Sequence, residues 1–247
     1  MLNTAKSLKG YKLECLDGEI GKAREFYFDD RYWAVRYLVA DTGDWLTDKQ
    51  VLISPYALVG VLADKGQIVV NLTKKQLEDS PSLETDKPVS RQYEEAYHLH
   101  HGWPTYWGGP ELSSTYPYIM RDTEQHRDLG NDVKERDPHL LSTHDVSGYD
   151  IQASDGVIGH IEDFVIDDAT WAIRYLIIAT RNWLPGKKVL VSPKWIESVN
   201  WSKSYVTTNL TREAIKQSPE YTEDSLLTRT YEIGLHQHYG RPEYWGN

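Results

Sequence analysis

The sequence of 247 residues holds one cysteine, two methionines and three phenylalanines. A lone cysteine, Cys15, leaves no intrachain disulfide and no Cys-x-x-Cys zinc site, as expected of a protein kept in a reducing compartment. No stretch approaches the ~18 consecutive apolar residues of a membrane span. Residues 1–8 lack the apolar core of a secretion signal, so a soluble, cytoplasmic protein is expected. Positive charge is also scarce: 27 Lys and Arg stand against 37 Asp and Glu, a formal net charge of −10, with no basic run. Nucleic-acid binding rests on neutralising phosphates with Lys and Arg, and anionic membranes attract the same residues. Both partner classes are disfavoured. There is no phosphate-binding glycine loop, no G-x-G-x-x-G and no G-x-S-x-G nucleophile elbow. No catalytic residue set and no cofactor are therefore expected.

Nine Trp and seventeen Tyr are present. Both join a large apolar surface to a polar tip, which suits small cores that reach the surface and suits interfaces. The strongest signal is an internal repeat. With Tyr11 set against Tyr149, an offset of 138 holds without a gap to the end of the chain, and 39 of 99 pairs are identical. Asp17-Gly18 matches Asp155-Gly156, and Gly21 matches Gly159. Asp29-Asp30 matches Asp167-Asp168, and Trp33-Ala34 matches Trp171-Ala172. Further along, Arg36-Tyr37-Leu38 matches Arg174-Tyr175-Leu176, and Ser54-Pro55 matches Ser192-Pro193. Asn71-Leu72-Thr73 matches Asn209-Leu210-Thr211. Two copies make a tandem pair: a first module over 1–109, a linker over 110–138 and a second module over 139–247. The linker carries three prolines, seven acidic and four basic residues, with no counterpart in the repeat.

Within a module, Asp-Gly between two apolar stretches predicts a tight hairpin turn, because glycine accepts positive φ without a clash. Residues 33–40 are apolar on both faces and predict a buried strand. Residues 51–53 and 68–72 predict two more. Thr73 caps an expected helix over 74–79, with Gln76 placed to complete a capping box; the second copy has Ala214 there. Ser90 and Thr228 precede longer helices, over Arg91–His101 and Arg229–Tyr239. Gly102 and Gly240 stop them, and Pro104 and Pro242 follow. Both modules end in Tyr-Trp-Gly. Short strands set close together predict a small barrel or sandwich. The expected fold class is mainly β: two tandem small barrels, each followed by C-terminal helical segments.

The order of these motifs resembles the PRC-barrel family, named after the cytoplasmic domain of the photosynthetic reaction-centre H subunit and shared by a ribosome-maturation factor. The resemblance covers residues 6–82 and 144–220, and two-barrel bacterial proteins with Pro-x-Tyr-Trp tails share it. It implies a barrel of about six strands, work by binding partners, and no catalytic residue set.

Several residues are candidates for a role. Tyr106, Trp107, Tyr244 and Trp245, with Trp103, are aromatic tails that suit an interface and equally suit folding back on their own barrel. Arg36 and Arg174 lie inside an apolar strand and need partners if buried; Asp29, Asp30 or Glu25, and Asp167, Asp168 or Asp163 in the second copy, are the candidates. The aspartate pairs also suit Asx turns or a hard cation. His98 with His100, and His236 with His238, are weak metal candidates, since i and i+2 on a helix point about 200° apart. No metal is expected. Trp33, Trp45, Trp171 and Trp183 are expected in the core. The expected function is a non-catalytic interaction or scaffold protein whose partner is another protein or a second copy, as a homodimer. The alternatives are a metal- or small-ligand-binding sensor or enzyme and, by family analogy alone, an accessory factor related to the reaction-centre H subunit.

Overall fold

A computed structural model describes residues 1–46, 51–81, 89, 91–106, 140–180, 187–222 and 227–245. Trp107, Trp183, Ser90 and the linker over 110–138 lie outside the described residues, as does the side chain of Trp45. The described chain is mainly β with short helices. In order it runs β1 (Leu2–Thr4), α1 (Ala5–Leu8), β2 (Lys12–Cys15), β3 (Gly18–Asp29), β4 (Ala34–Asp41), β5 (Val51–Ile53), β6 (Leu58–Leu62), β7 (Gln67–Val70), α2 (Lys74–Glu78) and α3 (Arg91–His101). The second series is β8 (Leu140–Ser142), α4 (Thr143–Val146), β9 (Asp150–Ala153), β10 (Gly156–Asp167), β11 (Ala172–Ala179), β12 (Lys188–Val191), β13 (Ile196–Asn200), β14 (Tyr205–Thr208), α5 (Arg212–Gln217) and α6 (Arg229–Tyr239).

The chain packs as two compact units. One comprises Asn3–His144 with Met1 and Ile166–Ile173; the other comprises Asp145–Val165 and Arg174–Asn247 with Leu2. In the first unit the strand order is β6-β7-β2-β3-β4, with β5 on β4 and β8 on β3. The β2–β7 pair is parallel and its neighbours β2–β3 and β6–β7 are antiparallel. In the second unit the order is β13-β14-β9-β10-β11, with β12 on β11 and the parallel pair at β14–β9. The repeat in sequence is thus a repeat in topology.

The long strand of each copy passes close to another strand's backbone at a glycine. A Cβ on Gly21 would sit 2.0 Å from the Asp41 carbonyl oxygen, and one on Gly159 would sit 1.9 Å from that of Ala179. Only glycine fits such an approach. The turn into the buried strand holds Trp33 at φ 51° and Trp171 at φ 56°. Left-handed backbone is unfavourable for so bulky a residue, but both indoles are buried. In the first unit, the Phe28 ring stacks on Trp33 at 5.5 Å. Burial of the rings holds the backbone in this conformation.

Helix signals in the sequence appear as expected. Thr73 and Gln76 form a complete capping box on α2, whereas Thr211 caps α5 alone. Thr228 caps α6, and Gly240 ends it at φ 60°. Helix α3 lays Tyr97 into a core cluster with Tyr37, Val39, Leu52, Val89 and Leu140.

Candidate functional site

The C-terminal helix of each module presents a glutamate, and four residues later a histidine, to the buried strand. That i, i+4 spacing puts both on one helix face. In the first module Glu94 and His98 are buried, and so are Glu232 and His236 in the second. A buried carboxylate has to be paired or hydrogen-bonded. Here phenols do this. Tyr37 Oη donates to Glu94 Oε1 at 3.3 Å and Tyr106 Oη to the same oxygen at 2.5 Å. In the second module Tyr175 donates to Glu232 Oε1 at 3.0 Å and Tyr244 at 2.6 Å. One phenol comes from the buried strand and the other from the tail, so the carboxylate ties strand, helix and tail together.

The histidine fixes the tail from its other end. His98 Nδ1 lies 2.9 Å from the Pro104 carbonyl oxygen, and His236 Nδ1 lies 2.9 Å from that of Pro242. A carbonyl only accepts, so each Nδ1 carries the proton. Nε2 of His236 faces Tyr175 Oη at 3.1 Å. An arginine then covers the tail tyrosine. The Arg36 guanidinium stands 4.0 Å over the Tyr106 ring, and that of Arg174 stands 4.3 Å over Tyr244. This is cation–π geometry. Arg36 also pairs with Asp29 at 3.4 Å, both buried.

Burial raises the phenol pKa of Tyr37, Tyr106, Tyr175 and Tyr244, with the neighbouring glutamate adding to the effect. All four stay protonated and remain donors. Burial lowers the pKa of His236, against the Pro242 hydrogen bond and the Glu232 charge. Burial, followed by the charges of His100 and His98, brings His101 down to about 4. The carboxylate and the histidine Nδ1 of each cluster are hydrogen-bonded within their own module. Each cluster holds a helix and tail on the sheet of its module.

The remaining candidates fall as follows. Trp103 stacks on His101 at 4.4 Å and on Tyr56 at 5.7 Å. Trp245 lies 3.9 Å under the Arg229 guanidinium, which pairs with Glu232 Oε2 at 3.0 Å. Tyr106 and Tyr244 lie against their own modules. Asp29 Oδ1 accepts from the Arg31 amide at 2.7 Å and Asp167 Oδ1 from the Ala169 amide at 3.2 Å, so both close turns. Asp30 is half-buried beside the first turn. Asp168 accepts from Asn3 Nδ2 at 3.1 Å. The structure does not bring the histidines together: His98 is buried and His100 exposed, while His238 Nε2 lies 2.7 Å from the Ala214 carbonyl oxygen. Among the described residues no three His, Cys, Asp or Glu side chains cluster as a metal site.

Sequence reasoning missed Glu94 and Glu232, and it read Tyr37 and Tyr175 only as strand residues. The available signal was identity between the copies at an i, i+4 pair on one helix. A buried strand followed by a helix carrying Glu and His at that spacing points to a polar cluster.

The model of the PRC-barrel domain matches residues 138–215. That segment is a PRC-barrel domain, as the order of its motifs implied. No curated protein matches the chain. Among the described residues no helix is long and apolar enough to cross a membrane.

Proposed function

We propose that the first module is a second PRC barrel and that the chain is a non-catalytic, tandem-barrel interaction protein of the cytoplasm, working through protein contacts that include self-association. One observation carries this reading. The polar groups that a catalytic site needs, buried Glu and His at helix spacing, are engaged in each copy by their own module's tyrosines and proline carbonyl. A carboxylate that already accepts two phenol hydrogens is poorly placed to take a substrate proton. Such a cluster serves to present a rigid surface. PRC-barrel domains often act by binding other proteins, which agrees with this use.

The test is native mass spectrometry of the untagged protein, purified without chelator. A dimer mass with no stoichiometric adduct supports the reading. A stoichiometric metal or small-molecule adduct that is lost in a His98→Gln, His236→Gln variant overturns it in favour of a ligand-binding sensor or enzyme.

A further inference from the structure

Strand β6 ends the strand order of the first unit. Among the described residues it pairs on one side only, with β7. Such an edge carries a row of backbone donors and acceptors ready to pair with another chain, and proteins normally blunt it with charge, proline or a bulge. Here a bulge is present between Leu58 and Gly60, but residues 57–63, Ala-Leu-Val-Gly-Val-Leu-Ala, contain no charge and no proline. Val59 is 67% exposed and Leu62 is 38% exposed.

The second copy shows that the fold does not require this. At the matching positions β13 carries Glu197 and Asn200, on a strand with the same pairing and the same bulge. Glu197 is exposed, as Val59 is. A charge at that position is the usual protection of an edge, and the first copy lacks it.

Residues 57–63 also read the same in both directions. Any strand can meet its own copy antiparallel about a twofold axis, the symmetry of an isologous dimer, and the palindrome makes the opposed residues identical. An axis at Gly60 sets Val59 against Val61 of the partner subunit and Leu58 against Leu62 of the partner subunit. Apolar pairs across antiparallel strands are stabilising, and no like charges meet. Self-pairing of β13 about Ser198 would instead oppose Glu197 to a valine. A Cβ on Gly60 would meet nothing within 4 Å, so the centre of the edge is open.

We propose that β6 is a self-association edge, through which two copies of this chain pair antiparallel about Gly60. The proposal rests on the interaction-protein reading above and names its partner as a second copy. Two variants test it by sedimentation velocity beside the wild type. Val59→Glu with Leu62→Asn installs the residues that the second copy tolerates at the same places, so loss of folding is not expected. Gly60→Cys sets one thiol at the axis, where directly opposed residues stand within disulfide reach; Cys15 is buried and does not compete. The expected result is a wild-type dimer, a monomeric double variant with an unchanged circular dichroism spectrum, and a disulfide-linked Gly60→Cys dimer under mild oxidation. A wild-type dimer that persists in the double variant and yields no Gly60→Cys cross-link overturns the edge while leaving self-association standing. A wild-type monomer at all concentrations overturns both.

Discussion

The two modules keep one buried cluster and differ on their surfaces. Tyr37, Glu94, His98 and Tyr106 have counterparts of the same type at Tyr175, Glu232, His236 and Tyr244, with near-equal distances. By contrast, the exposed Leu16, Val59, Leu62 and Leu99 of the first copy stand where the second has Ser154, Glu197, Asn200 and Gln237. Duplication provides an internal control. What both copies hold in common is what the module needs to fold, and the apolar surface present in one copy is free to serve something else. Scattered exposed apolar residues need no explanation. Four positions change to polar residues in the second copy, and one, Glu19 to the exposed Val157, changes the other way, so the excess of exposed apolar residues lies with the first copy.

The largest test of the common part is at the glycine where the two backbones meet. Gly21→Ala and Gly159→Ala each drive a Cβ into a backbone carbonyl. Each is expected to cost about 3 kcal/mol or more, seen as loss of one of two calorimetric transitions, in the first module for one variant and the second for the other. Next comes the carboxylate. Glu94→Ala or Glu232→Ala leaves two phenols, which burial keeps protonated, without their acceptor, at an expected cost of about 2–4 kcal/mol. Removing one donor, by Tyr106→Phe or Tyr244→Phe, is expected to cost about 1–2 kcal/mol and to speed amide exchange in α3 or α6 respectively.

Smaller differences sharpen the comparison. Thr73→Ala removes a capping box where Thr211→Ala removes a single cap, so a loss of about 1 kcal/mol is expected for the first and less for the second. The last test is acid. His101 has an ordinary value of 6.5 in the unfolded chain and about 4 in the folded one. Between those values the unfolded state binds more protons, so stability falls as pH falls. The contribution is intact above 6.5 and lost on approach to 4. The second copy has Tyr239 at this place. His101→Tyr is therefore expected to flatten the acid limb of the melting temperature between pH 7 and 4.

Much of this fold is legible in the sequence because its signals are local. Asp17-Gly18 makes its turn, Thr73 and Gln76 make their box, and Gly240 ends its helix. The C-terminal ends of α3 and α6 follow from the Gly and Pro beyond them, and the start of α6 from Thr228. The Glu–Tyr–His cluster is less legible because it joins residues 57 and 12 positions apart around one carboxylate. Periodicity places Glu94 on a helix face without saying that the face turns inward. The left-handed Trp33 and Trp171 are equally hidden, since nothing local favours that conformation and only burial of the ring explains it. The edge at β6 required topology: a run of apolar residues reads as core until the strand order shows it at an end.

Amide hydrogen exchange at increasing protein concentration tests the central contrast within one molecule. The β6 amides should slow as concentration rises, while those of β13, the same strand 138 residues on, should not change. Concentration-independent exchange in both strands, or equal slowing in both, would contradict the assignment of a private association edge to the first copy.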